Sequence, residues 1–125
     1  MRVTMILPAL VEATSPMFRP LKYSLFPPIG LATLAGYLRP DDEVRILDEH
    51  VQRLEVDDDR PDLVAIEVYV TSARRSYELA DAYRARGVFV ALGGLHVTSL
   101  PEEAAAHADA IFLGPGEDTW PASLD

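Results

Sequence analysis

The sequence predicts an α/β domain of flavodoxin-like build, an open five-stranded parallel sheet with helices on both faces. Three observations predict it. Short apolar runs alternate with helical patterns, without internal repeat. Those runs lack the polar alternation of strands that keep one face in water. The chain of 125 residues, 49% hydrophobic, suffices for one core but not two. Right-handed crossovers in so short a chain leave few other topologies.

Each element has a local reason. The first strand is RVTMIL (Arg2 to Leu7), followed by EVRIL (Glu43 to Leu47), LVAIEVY (Leu63 to Tyr69), VFVAL (Val88 to Leu92) and AIFL (Ala110 to Leu113). All are rich in β-branched or aromatic residues. The segment PIGLATLAGYLR predicts a helix that starts on Pro28, lines Leu31, Leu34, Ala35 and Leu38 on one side, and stops at Pro40. In SARRSYELADAYRARG, Ser72 is placed to cap the helix, Tyr77, Ala80 and Tyr83 fall at helical spacing, and Gly87 takes the left-handed C-terminal position. PEEAAAHA starts a shorter helix near Pro101, with Glu102 and Glu103 against the positive end of its dipole. DDDRPD (Asp57 to Asp62) reads as a solvated turn, and TWPASLD as the beginning of a fifth helix.

Composition excludes several function classes. Eleven Lys and Arg against twenty acids give a formal net charge of −9, which argues against nucleic-acid partners and anionic membrane surfaces. No apolar stretch is long enough to cross a bilayer, and Pro8 breaks the N-terminal run too early for a signal peptide, so a cytoplasmic location is expected. With no cysteine, these residues offer no disulfide, thiolate nucleophile or thiolate-held zinc or iron–sulfur cluster.

In open α/β sheets, ligands bind outside the carboxyl ends of the strands. That edge gathers Pro8, Asp48, Val70 to Ser72, Gly93 to His96 and Gly114 to Glu117. The run VALGGLHVTSLPEEA poses the sharpest question, because a glycine pair ending an apolar strand is costly unless the backbone needs positive φ or a close approach. A tight turn alone would account for it. Yet LGPGED adds a second glycine loop, and Thr71 and Ser72 add small hydroxyls, so three adjacent strand ends offer a floor for a broad, flat ligand.

Other chemistries lack their residues. The first turn, LPALVEATSP, carries no G-x-G-x-x-G for a dinucleotide, although Asp48 sits where a ribose-binding acid would. A phosphoacceptor receiver needs an aspartate at the end of the third strand, where Glu67 is the nearest acid. His50, His96 and His107 are widely separated and form no i, i+4 pair, so neither a metal ligand nor a catalytic residue is assigned.

The segments FPPIGLATLAGYLR, VRILDEH, PDLVAIEVYVTSARRSYELADAYRARG and VALGGLHVTSLPEEAAAHADAIFLGPGEDTWP, in this order and spacing, resemble the N-terminal cobalamin-binding domains of cobalamin-dependent radical SAM enzymes. GGLHVTSLPEE and FLGPGEDTWP carry most of the resemblance. It implies a corrin ring over the strand ends, with its nucleotide tail passing down beside the sheet. By position, Gly93 and Gly94 would let backbone approach the tail or ring, while Val70, Thr71 and Ser72 border it. His96, Val97 and Thr98 would continue the wall, and Gly114, Gly116 and Glu117 match the last edge loop. Leu95, where proline is common, and Pro115, where glutamate is common, depart from the pattern.

The resemblance further implies base-off, histidine-off binding of methylcobalamin or hydroxocobalamin. No histidine lies between Val3 and Leu47 to ligate cobalt, and DEHVQR only echoes the D-x-H-x-x-G motif of histidine-on corrinoid proteins. The partner implied is a radical SAM catalytic domain of the same parent chain, with residues 1–125 as its cobalamin-binding domain. That domain would bring the 4Fe-4S cluster, S-adenosylmethionine and the C-x-x-x-C-x-x-C cysteines missing here. The reading from a different class is a non-catalytic docking domain that keeps the fold without the cofactor. Ala9 to Phe26 is a long connection. Its Phe18, Tyr23, Phe26, Arg19 and Lys22 are candidates to cover the ligand's lower face or to meet a partner domain.

Overall fold

A computed structural model describes residues 1–9, 29–49, 54, 56 and 60–123. Pro28, His50 and most of the long connection after the first strand lie outside the described residues. Five strands, β1 (Arg2–Leu7), β2 (Glu43–Asp48), β3 (Leu63–Glu67), β4 (Phe89–Gly93) and β5 (Ala110–Ile111), form one parallel sheet in the order β2-β1-β3-β4-β5. This is the expected flavodoxin-like order, with the chain reversing direction across the sheet between β1 and β3.

Helices cover both faces. On one lie α1 (Ile29–Ala35) and α5 (Gly116–Ser123); on the other lie α2 (Ala73–Ala85), α3 (Leu95–Ser99) and α4 (Pro101–Ala105). Strand alternation divides the core accordingly. Val3, Met5, Leu7 and Ala65 face α1 and α5 with Leu31 and Trp120. Ile6, Val64, Ile66, Val90 and Leu92 face the other helices, meeting Leu79, Tyr83, Val97 and Ala104.

Several boundaries differ from expectation for local reasons. Helix α1 ends four residues before Pro40's predecessor, where Gly36 donates to both Ala32 and Thr33 and the chain tightens into turns. Strand β3 stops at Glu67 because Val70–Ser72 coil into a 3₁₀ turn that leads into α2. Ser72 occupies the N-cap position of α2 without a side-chain cap bond; its Oγ instead makes long 3.4 Å contacts with the Tyr69 backbone. Gly87 does take the left-handed position after α2, at φ +79°. Helix α5 starts at Gly116, earlier than the TWPASLD segment, and buries Trp120 against the α1 face.

Candidate functional site

On the α1/α5 face the sheet is built from small residues. Ala65 of β3 is in register with Ala91 of β4, which is in register with Ala110 of β5. One step toward the carboxyl edge, Glu67 pairs with Gly93. Helices therefore rest on a sheet whose surface is sunken along this row, and a cavity of about 160 Å³ remains between them. Ala65, Ala91 and Gly93 form its floor, Leu31 and Leu34 of α1 and Trp120 of α5 its roof, and Phe112 its side. The roof is fixed: Trp120 Nε1 donates to the Leu34 carbonyl at 3.0 Å, and its ring meets Phe112 edge-on at 5.5 Å.

The glycine pair proves to be two residues with opposite reasons. Gly94 has φ +108°, and a Cβ there would stand 2.7 Å from the Val68 carbonyl oxygen. Val68 is gripped by the turn, its N–H donating to Gly93 and its carbonyl accepting from His96 N. Gly94 is thus required by the protein's own backbone. The close approach at Gly94 is therefore to Val68, within the protein itself. Gly93 has no positive φ, and a Cβ there would meet only Phe112, at an ordinary 3.6 Å. Nothing in the fold demands glycine at Gly93; its missing side chain leaves the cavity open.

The other residues singled out from sequence are distributed around this edge. Val70 and Thr71 are exposed on the 3₁₀ turn, while Ser72 is buried under it. Leu95 to Ser99 form a helix that the sequence reading did not assign, α3, which turns His96 and Val97 toward the α2 side of the sheet. Val97 is fully buried there, and His96 Nε2 lies 2.7 Å from Glu103, whose same oxygen accepts from Tyr77 Oη. Those two bonds, the tyrosine's first, hold the Glu103 carboxyl below its usual range. Thr98 braces the edge: its Oγ1 donates to the Gly94 carbonyl and accepts from Gly114 N at 2.9 Å. Gly93, Gly94, Gly114, Gly116 and Glu117 all line the cavity. Val70, Leu95 and Leu113 add an exposed apolar rim on three neighbouring strand ends.

Sequence reasoning missed the alanine row, and weighed Glu67 only as a stand-in for a phosphoacceptor aspartate. The signal was present as small residues two apart on one strand face, Ala91 and Gly93, with Ala65 opposite. Near the β1 end of the same edge, Arg75 makes a bidentate pair with the buried Glu49, whose Oε1 also accepts from Ala9 N. Among the described residues no group of three or more His, Asp or Glu side chains could hold a metal ion, and no helix is long and apolar enough to cross a membrane.

Fold and cavity define a doubly wound ligand-binding domain with its site at the carboxyl edge. The chain belongs to the B12 binding domain family, whose match spans residues 23–124. It is 41% identical over 98 residues to bacteriochlorophyllide d C-8(2)-methyltransferase of Chlorobaculum tepidum, covering 78% of this chain and 22% of that protein. It is 35% identical over 99 residues to an uncharacterized methyltransferase of Synechocystis, covering 78% and 18%. With bacteriochlorophyllide d C-12(1)-methyltransferase of Chlorobaculum tepidum it shares 31% over 94 residues, covering 74% and 21%. The chain therefore spans only about a fifth of the length of these relatives.

Proposed function

We propose that the chain binds cobalamin base-off, with the tail base in the trough beneath α1 and α5 and the corrin over the apolar rim. The observation that carries this reading is Gly93, a strand glycine that the fold does not need and whose missing side chain keeps the trough open. Glycine inside a strand costs about 0.5–1 kcal/mol, so an unneeded one is an expense for the free protein. The trough's apolar floor and roof suit a flat aromatic base, and Val70, Leu95 and Leu113 suit the underside of a large ring. Gly94, Thr98 and Gly114 shape the edge between them.

Residues 1–125 serve as the cobalamin-binding domain of a longer radical SAM methyltransferase, presenting methylcobalamin or hydroxocobalamin to a catalytic domain elsewhere in the parent chain. The methyltransferase names of the relatives and their greater length support that reading. When bound, a methylated corrinoid supplies a transferable methyl group on cobalt. A cofactor-free docking domain would use the exposed rim equally well, but it gives no reason for the alanine row and Gly93.

The test is titration of the chain with hydroxocobalamin and methylcobalamin, followed by visible absorption and by retention through gel filtration. Spectral change with retention is expected. No change and no retention would leave docking as the function. Electron paramagnetic resonance of the cobalt(II) form should lack splitting from a protein nitrogen; its presence would contradict histidine-off binding.

A further inference from the structure

The trough is apolar except at its mouth, where Glu67 and Glu117 are the only charged side chains among its described lining residues. Glu67 stands on the cavity face of β3, one step above Ala65 and directly across from Gly93, beside the space that Gly93 leaves open. It is half-buried. Tyr69 Oη donates to its Oε1 at 2.8 Å, and among the described residues no lysine or arginine pairs with it. The Tyr69 bond uses one carboxylate oxygen, and the other keeps acceptor capacity for a donor placed in the trough mouth.

Resting on the reading of the trough as the seat of the tail base, we propose that Glu67 selects that base by accepting a hydrogen bond from an N–H on its edge. An ionised carboxylate only accepts, so a base edge offering a bare lone pair would set two acceptors against each other. An aminopurine tail brings the donor in its exocyclic amine. A benzimidazole tail, whose ring nitrogen is free once it leaves the metal, meets the same need by taking one proton from solvent, held between ring nitrogen and carboxylate.

The surroundings leave that proton to Glu67 and the base. Burial first, and then the bond to Glu67, push the Tyr69 hydroxyl up to about 12, so it stays a donor through the neutral range. Glu117 on α5 is the other acid, and α1, β4 and β5 contribute no titratable side chain to the described lining. Because binding takes up a proton, affinity for a benzimidazole-tailed corrinoid falls as pH rises, by about tenfold per unit.

Three ligands separate the possibilities in a spectrophotometric titration between about pH 6 and 8: methylcobalamin, its adenine-tailed analogue, and methylcobinamide, which lacks the base. Methylcobalamin is expected to weaken about tenfold per pH unit, the adenine-tailed analogue to bind evenly, and methylcobinamide to bind weakly and evenly. In Glu67→Gln the amide donates to the bare ring nitrogen, and the methylcobalamin slope should vanish. Tail-dependent binding with no slope in the parent protein, or a slope that survives Glu67→Gln, overturns the role of Glu67 while leaving the trough as the tail site. The parent comparison stands even if the variant fails to fold. Methylcobinamide binding as tightly as methylcobalamin would overturn the tail site itself, and this proposal with it.

Discussion

Replacing Gly93 with valine should close the trough without unfolding the domain. The backbone permits it: φ at Gly93 lies outside the left-handed region, and the new Cβ meets Phe112 at 3.6 Å, an ordinary contact. A β-branched residue in a strand recovers roughly 0.5–1 kcal/mol of the glycine's entropy cost, so the unfolding midpoint should hold or rise by a few degrees. The two methyl groups, however, enter a cavity of only about 160 Å³ between the alanine row and Trp120. A flat aromatic group buries about 150–250 Å², worth about 4–6 kcal/mol at 25 cal/mol per Å². Part of that is offset by the cost of ordering the tail. Excluding the base should therefore weaken cobalamin by at least about a hundredfold, some 2.8 kcal/mol, while baseless cobinamide is unaffected. Visible-absorption titration of both corrinoids, beside thermal unfolding, reads the two effects separately. Unchanged cobalamin affinity would refute the trough as the tail site. A collapsed midpoint would show that Gly93 serves the fold after all.

Three further outcomes are expected. Gly94→Ala, by contrast, should cost about 1–3 kcal/mol in urea unfolding, since its Cβ would collide with the Val68 carbonyl at positive φ; an unchanged midpoint would contradict that contact. Arg75→Met strands the buried Glu49 and should destabilise by roughly 2–4 kcal/mol, discounted from the usual ~3–5 because Arg75 keeps 29% of its side chain exposed; a loss below about 1 kcal/mol would mean that water replaces the arginine. Glu103, held below its usual range by Tyr77 and then His96, favours the folded state above that range and loses the contribution as pH falls below about 4.5. The parent's unfolding midpoint should therefore drop more steeply on acidification than that of Glu103→Gln, and parallel curves would remove the linkage.

The sheet was legible because its signal is local: apolar runs of four to seven residues between helical patterns leave little freedom in a parallel fold. Helix ends were less so. Pro40 reads as the stop of α1, but Gly36, the first residue past Ala35, ends it sooner through turn hydrogen bonds, a glycine signal that the more conspicuous proline masks. Helix α3 is five residues of mixed propensity, LHVTS, secured by Val97 in the α2-side core, so tertiary burial decided it. The glycine pair was visible, but not its division of labour. That division depends on φ and on the distance to Val68, a residue 26 positions away in sequence from Gly94 and adjacent only through β3–β4 pairing.

The two faces of the sheet explain how a small domain keeps a cavity and still folds. On the α2 side, Ile6, Val64, Ile66, Val90 and Leu92 meet Leu79, Tyr83 and Val97 as a close-packed layer of large side chains. On the α1 side the same strands present Ala65, Ala91 and Gly93, and helix contact is carried instead by Met5 and Leu7 of β1 with Leu31, and by Trp120 at the far wall. Stability concentrated on one face and at the margins of the other frees the middle of the α1 face for a ligand. It follows that Leu79→Ala, in the closed layer, should cost about 2–5 kcal/mol whether or not corrinoid is present, because no ligand atom can reach the hole it leaves. Leu34→Ala, in the trough roof, should cost the free protein less, and the difference between free and corrinoid-loaded unfolding midpoints should shrink in that variant alone. If the loaded and free midpoints of Leu79→Ala converge instead, the ligand rests against the α2 layer, and the separation of the two faces is wrong.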